Sequence, residues 1–494
     1  MKLGRNLLAG LTNSIWSAIV GLAVVPFYLK YLGMEAYGLI GFFVTTQALL
    51  QLLDMGMAPT INREVARCSA SGDLKEAGKL LHTLAAVYWS MAGVIALLIL
   101  VLAPWIAEDW LQSKQLSAQT ISHAVMLMGL VVACRWPIGL YQGALIGAQR
   151  LAVSSGINMV MVSIGSLGAV AVLAFISPTI EAFFIWQACV GLVYAITMRT
   201  AAWRIIGKLD LIRFDMDKLK SIWRFTAGMS GIGLTALVFT QLDKVILSKM
   251  LGLEEFGHYM LATVVVSGLY VLISPVFNVV YPRMTALVAT GDTEKLIGLY
   301  RLGTRMLASV LFPVAMVLAV FAEDLVLVWT GNPSVASSVA PVISLLVIGS
   351  ALNGVMYFPY ALQLAYGKTW IPLTINVVLM FFLIPLIIYL ARTYGALGGA
   401  MAWLIAEVVY VIFGPWLTHR NILKGLWAKW IIQDVGMPFA LSIVMGAVGY
   451  YVTQGTGFSL YERMMAATGL AILTTTLTLL MTRQVRDVVR KYLR

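Results

Sequence analysis

Leu32-Gly33-Met34-Glu35-Ala36-Tyr37-Gly38 returns 219 residues later as Leu251-Gly252-Leu253-Glu254-Glu255-Phe256-Gly257. The same offset relates Gly72-Asp73 to Gly291-Asp292 and sets Ile146-Gly147-Ala148-Gln149-Arg150 where Ala365-Tyr366-Gly367-Lys368 stands; Trp186 and Trp403 pair at nearly that spacing. The chain therefore reads as a duplication, and what flanks each copy decides what was duplicated. On both sides lie apolar runs of about 20 residues or more, long enough at 1.5 Å per residue to cross a ~30 Å hydrocarbon layer. Lipid offers no partner to a free backbone N–H or C=O, so these runs must be helices.

Of the 494 residues 60% are hydrophobic and only 11% charged, against about a quarter charged in soluble domains. A water-soluble fold is excluded. Reading between charged and Gly/Pro-rich breaks gives fourteen spans. The first follows Lys2 and Arg5 and runs from about Leu7 to Tyr28 without a small-residue cleavage site, so it reads as a retained span and not a signal peptide. Of the 34 Lys and Arg, 27 fall on the segments that share a side with the N-terminus, five lie opposite, and Arg135 and Lys244 lie inside spans. This split puts both termini in the cytoplasm. The net charge of +12 is then a matter of topology and anionic-lipid contact. The basic residues make no single patch interleaved with aromatics, so nucleic acid is not an expected partner.

The duplication divides the chain into an N-terminal six-helix lobe, 1–215, a C-terminal six-helix lobe, 216–430, and a segment, 431–494, of two additional helices and a basic cytoplasmic tail. The loop from Arg199 to Arg224 is the linker. Because six is even, the lobes insert in one orientation, about a pseudo-two-fold axis along the membrane normal. A cleft between them would suit alternating access around a midplane site.

A charge in the middle of a span costs about 2.5 to 3.5 kcal/mol on insertion scales, so such residues are functional candidates by default. Arg135, in Cys134-Arg135-Trp136-Pro137, is the first choice for an anion contact, the alternative being a structural ion pair or a snorkelling side chain. Pro137 beside it removes a backbone donor and allows a kink. In Gln241-Leu242-Asp243-Lys244 the two charges diverge by about 100° around the helix and are expected not to pair; Lys244 would reach a phosphate, and Asp243 a cation or proton, unless both brace neighbouring helices. Glu407, central in the twelfth span, is a candidate for proton coupling, the alternative being a neutral, hydrogen-bonded side chain. At the 219-residue offset these four meet Gly354, Val24, Val25 and Ala188, so the repeated scaffold itself does not demand them.

Gln47, Gln51, Gln142 and Gln363 are candidates to meet sugar hydroxyls, a structural role being the equal alternative, and Gln241 is a further cavity candidate; Asn158 and Asn376 recur at a similar offset and read as interhelical hydrogen-bond glue. Asp54 ends the second span, where a carboxylate opposes the helix dipole and calls for a cationic partner, for which Arg63 is the candidate. The two are cytoplasmic gate candidates. Signals for catalysis or metal are poor. Gly367-Lys368-Thr369 lacks the upstream Gly of a phosphate-binding loop, and His82, His123, His258 and His419 are scattered near the ends of spans. Cys68, Cys134 and Cys189 show no CxxC spacing. No catalytic residue, metal site or cofactor is expected; the coupling ion would be H+ or Na+.

Val24-Val25-Pro26-Phe27-Tyr28-Leu29-Lys30-Tyr31-Leu32-Gly33-Met34-Glu35-Ala36-Tyr37-Gly38-Leu39, followed by Leu52-Leu53-Asp54-Met55-Gly56-Met57-Ala58-Pro59 and Asn62-Arg63-Glu64, resembles the polysaccharide flippases of bacterial inner membranes. These belong to the multidrug/oligosaccharidyl-lipid/polysaccharide exporter superfamily. Gln241-Leu242-Asp243-Lys244-Val245-Ile246-Leu247 looks like the start of that family's second lobe. The resemblance implies a multi-pass inner-membrane transporter and an undecaprenyl-pyrophosphate-linked oligosaccharide as substrate. It would be turned from the cytoplasmic to the periplasmic leaflet for O-antigen, capsule or exopolysaccharide assembly, alongside other assembly proteins. Arg135 and Lys244 would contact pyrophosphate, and Glu407 or Asp243 would take the coupling ion. Two rivals stand: a multidrug or cation antiporter of the same superfamily, which should show a more acidic first-lobe cavity, and a polymerase or ligase of glycan assembly, which should carry a large periplasmic loop.

Overall fold

The computed structural model describes residues 2–54, 56–71, 74–207, 235–455 and 457–480. Gly72-Asp73, most of the linker after Gly207, the beginning of the run at 225–248 and the basic C-terminal tail lie outside them. The described residues form helices: α1 Lys2–Leu50, α2 Met57–Ser71, α3 Leu74–Trp105, α4 Ala118–Arg135, α5 Ile138–Gly147, α6 Leu151–Phe175, α7 Ile180–Ile206 and α8 235–250. There follow α9 Leu253–Ser267, α10 Tyr270–Thr290, α11 Thr293–Val320, α12 Ala322–Thr330, α13 Pro333–Val355, α14 Tyr357–Ala365, α15 Trp370–Asn421, α16 Trp427–Lys429, α17 Met437–Gly455 and α18 Leu460–Leu480.

Among the described residues eleven helical stretches are long and apolar enough to cross a membrane. Two of them, Leu8–Asp54 and Trp370–Asn421, are 47 and 52 residues long, more than twice what one crossing needs. Each is broken by a glycine in the left-handed region, Gly33 (φ 79°) and Gly395 (φ 59°), where a side chain would be strained. Each therefore contains two of the apolar runs read from the sequence. The surface is apolar where a soluble protein would be polar: Phe175 is 88% exposed and Phe381 78%.

The chain divides into two compact units, Met1–Gly257 and His258–Arg494. In the first, α1 lies along α6, α4 packs between α3 and α7, and α2 packs on α5. In the second, α13 packs between α11 and α15, and α10 packs on α14. Helix starts recur at the sequence offset of 219: Leu74 and Thr293 for α3 and α11, Ile138 and Tyr357 for α5 and α14, Leu151 and Trp370 for α6 and α15. The packing of α4 between α3 and α7, and of α2 on α5, thus recurs in α13 between α11 and α15, and in α10 on α14.

The second unit carries more than the repeat. α17 and α18 pack on α11, and the Thr478 hydroxyl of α18 donates to Ser309 O of α11 at 2.8 Å. Before α17 the chain makes a wide turn, Trp430–Gly436, that puts Asp434 out of solvent entirely. Arg301 of α11 grips that carboxylate through two hydrogen bonds, Nε at 2.7 Å and Nη2 at 3.0 Å, and Arg305 one turn on reaches it as well. Elsewhere Lys368, of the Gly-Lys-Thr stretch, donates to Asn421 O at 2.6 Å and ties the two ends of α15 together.

Replacing Asp434 by Ala leaves two arginines facing a void. Breaking a buried pair costs 3–5 kcal/mol; since both arginines remain 24% exposed, about 3 kcal/mol is expected. Thermal unfolding in detergent should show a lowered midpoint; an unchanged midpoint would mean that the clamp does not hold the C-terminal helices.

Candidate functional site

Among the polar bonds between helices, one in each unit stands at a nearly equivalent place. In the first unit α4 ends at Arg135, because Pro137 has no N–H to continue it, and α5 resumes at Ile138. Arg135 is half-buried and interior to the span Ala118–Gly147. Its Nη2 donates to Gln187 Oε1 of α7, and Gln187 Nε2 donates to Gly165 O of α6 at 3.2 Å. The guanidinium also lies 6.0 Å from the centre of the Phe43 ring of α1, a cation–π contact. Its stem runs against α7 at Gly191, where an added Cβ would sit 3.0 Å from Arg135 Cγ. Among the described residues no carboxylate pairs with Arg135, and one of the five donors of its guanidinium has an acceptor. The rest can meet an anion. Gln47, half-buried and one helical turn beyond Phe43, shares that face of α1 and makes no hydrogen bond among the described residues; Gln51 is exposed.

In the second unit Glu407 of α15 is fully buried, and Asn353 Nδ2 of α13 donates to its Oε1 at 3.0 Å. Its Oε2 has no partner among the described residues. Shifted by 219, Arg135 and Gln187 fall on Gly354 and Ala406, one residue from Asn353 and Glu407. The same interhelical junction thus carries a cation in one unit and an acid in the other.

Two expectations about partners need correction. Asp243 and Lys244 do pair: Lys244 Nζ lies 3.2 Å from Asp243 Oδ1 and donates to Thr240 O at 2.8 Å. Neighbouring positions diverge around the helix, but the four-carbon lysine stem folds back along it. Lys244 is neutralised by its own neighbour, which weakens its case as a phosphate contact. Gln241, beside them, is half-buried and makes no hydrogen bond among the described residues. Asp54 does not use Arg63. It accepts from the Tyr88 hydroxyl of α3 and from Ala58 N at 3.3 Å, while Arg63 is exposed. A phenol and a backbone amide take the place of the cation.

Asn158 bridges three helices, donating to Asn13 Oδ1 of α1 and accepting from Tyr194 Oη of α7, both at 2.7 Å; Asn376 makes no such bond among the described residues. Gln363 is buried and donates to Thr418 Oγ1 at 2.8 Å. His419 is buried against Tyr300 and Trp430.

Two features escaped the sequence reading. The carboxylate of Glu35 is buried and accepts four hydrogen bonds, from Ser113 Oγ (2.6 Å) and from the amides of Lys114 (2.9 Å), Gln115 (3.0 Å) and Leu116 (3.1 Å). It organises the turn that leads into α4. The second feature lies between the two copies of the repeated motif. A Cβ on Gly38 would fall 2.2 Å from Leu253 O, and one on Gly257 would fall 2.7 Å from Met34 O. Residue 34 of one copy is residue 253 of the other, and 38 is 257, so the contact is reciprocal. Leu253 N also donates to Gln112 O at 2.7 Å, and Trp110 Nε1 to Ser248 Oγ at 3.1 Å. Exact recurrence of a glycine at the motif's end was the sequence signal for this seam.

With the geometry in place, comparison with known proteins settles the class. A family model described as "Polysaccharide biosynthesis protein" matches residues 29–340. The chain belongs to this family. The relatives and solved structures that it resembles include transporters and flippases, not enzymes. A putative O-antigen transporter of Shigella flexneri is 22% identical over 422 residues, covering 83% of this chain and 97% of that one. In fold, the chain resembles an inward closed conformation of the lipid II flippase MurJ, with a TM-score of 0.68 and 14% identity over 98% of this chain and 100% of that one. An inward-facing multidrug MATE transporter of the MOP superfamily follows with a TM-score of 0.66 and 13% identity, over 82% and 95%.

The Glu35 turn is open to a direct test. In this protein Glu35→Ala strands three backbone amides and a hydroxyl, for which an expected loss of about 2–4 kcal/mol follows from the cost of leaving such groups unmet. Thermal unfolding should register it, while Glu254→Ala, the exposed repeat counterpart, should leave the midpoint where it was.

Proposed function

We propose that this flippase turns an undecaprenyl-pyrophosphate-linked oligosaccharide from the cytoplasmic to the periplasmic leaflet of a bacterial inner membrane, for O-antigen, capsule or exopolysaccharide assembly. The observation that carries this reading is Arg135: a cation inside a membrane span, without a carboxylate partner among the described residues and with guanidinium donors to spare. In hydrocarbon such a charge is costly, and a pyrophosphate is the group of this substrate that would offset it, since guanidinium and phosphate oxygens match in a fork of two hydrogen bonds. Gln47 on the same helix face as Phe43 is placed to meet a sugar hydroxyl. Lys244, held by Asp243, contributes less.

The transport cycle is alternating access between two six-helix lobes, 1–215 and 216–430, with 431–494 appended and both termini cytoplasmic. The two broken long helices and α8, added to the remaining apolar helices, support fourteen crossings. Glu407 takes the coupling proton or Na+: its unpartnered oxygen can bind a cation, and burial makes the bare carboxylate unfavourable. The glycine seam closes the periplasmic end, and Asp54, held by Tyr88, and the exposed Arg63 lie at the cytoplasmic one. The MATE-like fold keeps one rival in view, an antiporter of organic cations; uptake of a cationic dye by cells or vesicles would favour it.

In a strain lacking the protein, Arg135→Ala at normal expression should reduce glycan export at least tenfold, Arg135→Lys less, and Lys244→Ala least. Full export with Arg135→Ala removes the pyrophosphate assignment. The seam makes a separate expectation. Gly38→Ala puts a methyl 2.2 Å from Leu253 O, so the seam must part. A cysteine placed by Met34→Cys, in a chain with its native cysteines replaced, should then react faster with a membrane-impermeant maleimide added from the periplasmic side. Equal rates with and without Gly38→Ala would show that the seam is no gate.

A further inference from the structure

Three tyrosines of the second unit gather around one phenylalanine. The Tyr281 ring lies 5.5 Å from that of Phe277 and is tilted from it by only 8°, and the Tyr360 ring lies 6.5 Å away at 18°. Tyr357 meets the edge of the same Phe277 at 5.5 Å and 84°. Phe277 and Tyr281 come from α10, Tyr357 and Tyr360 from α14, and these two helices pack together. All four side chains are half-buried. None of the three tyrosine hydroxyls has a hydrogen-bond partner among the described residues. Tyr357 and Tyr360 also lie within electrostatic reach of Tyr410, which in turn faces Glu407.

Rings that served only as packing in a membrane protein would be phenylalanine or leucine, because a phenol in an apolar place must find an acceptor or lose the hydrogen bonds water gave it. Tyrosines at the ends of spans meet that demand at the headgroups, but those are scattered anchors. Here three hydroxyls converge on a single ring, beside the helix that carries Glu407. The arrangement offers flat π faces together with hydroxyls that both donate and accept. A sugar ring asks for this combination: its axial C–H groups lie on an aromatic face while its hydroxyls bond to polar tips. A lipid chain has no use for the hydroxyls. An organic cation would favour the faces, but it has no use for three converging hydroxyls.

We infer that Phe277, Tyr281, Tyr357 and Tyr360 form a saccharide subsite that stacks a neutral sugar ring of the glycan while it passes through the membrane. The inference rests on the flippase reading above and adds to it the place where the sugar is held. In this division of labour, Arg135 binds the pyrophosphate and the tyrosines read the saccharide.

Two probes separate the two claims. Purified full-length protein is titrated with farnesyl pyrophosphate, which carries no sugar, and with the lipid-linked oligosaccharide fraction extracted from the host membrane. Tyr281→Ala, Tyr357→Ala and Tyr360→Ala should each weaken binding of the oligosaccharide fraction about fivefold to tenfold, as expected for one lost aromatic contact. Binding of farnesyl pyrophosphate should stay within about twofold, the change a surface-level perturbation would give. The Tyr→Phe series keeps the stack and removes the hydroxyl, and should fall between wild type and Ala. Unchanged oligosaccharide binding in all three Ala variants overturns the subsite. So does an equal loss of both probes, which signals a damaged fold, and so does saturable binding of tetraphenylphosphonium that the same variants abolish, which makes the cluster a cation site. Loss of farnesyl pyrophosphate binding in Arg135→Ala alone bears on the pyrophosphate assignment and leaves the saccharide subsite standing.

Discussion

Hydrocarbon solvates neither a charge nor a free peptide group, and each part of this molecule answers to that constraint. The backbone closes on itself as helices, and the two places where a long helix breaks, Gly33 and Gly395, are glycines whose conformation other residues resist. Charged side chains inside the helical units have been brought to partners: Asp434 to two arginines, Lys244 to Asp243, Asp54 to a tyrosine, Glu35 to a fan of amides. Against that background Arg135 stands apart. Its contacts are an amide oxygen and an aromatic face, which share its hydrogen bonding without cancelling its charge.

The duplicated scaffold gives that exception its meaning. Two ancestral copies with the same helix order would place equivalent side chains at the junction of α4 with α7 and of α13 with α15. Instead the first copy has Arg135 on Gln187 and the second has Asn353 on Glu407. Divergence at one junction, in a scaffold where three pairs of helix starts still recur at the same offset, is what a division of tasks between the copies would leave behind. Under the proposed function, the cation in one half would meet an anionic group of the substrate, and the acid in the other a small coupling cation.

Much of this was legible in the residues. The apolar runs, the 219-residue repeat and the positions of Arg135 and Glu407 could be read because each rests on a one-dimensional signal: length, recurrence, or a charge out of place. Partners could not be read. Asp243 and Lys244 were expected apart because their backbone directions diverge, and a flexible lysine stem overrides that divergence. Asp54 was expected to find an arginine close in sequence, and found Tyr88, a whole helix away. Glu35 looked like one more motif residue, since nothing local shows that four donors from 113–116 will arrive at its carboxylate.

The amino-acid order by itself thus determined that the chain is a helical membrane protein of repeated design, because crossing a bilayer depends on the local apolarity of each segment and on which loops carry the positive charge. Tertiary structure decided which charges are silenced and which stay available. That depends on which helices become neighbours: the packing of α7 against α4 supplies Arg135 with an amide and no acid, and the packing of α10 against α14 assembles an aromatic group from residues some 80 positions apart. Contacts across such distances in the chain are products of folding, and no local pattern of residues encodes them.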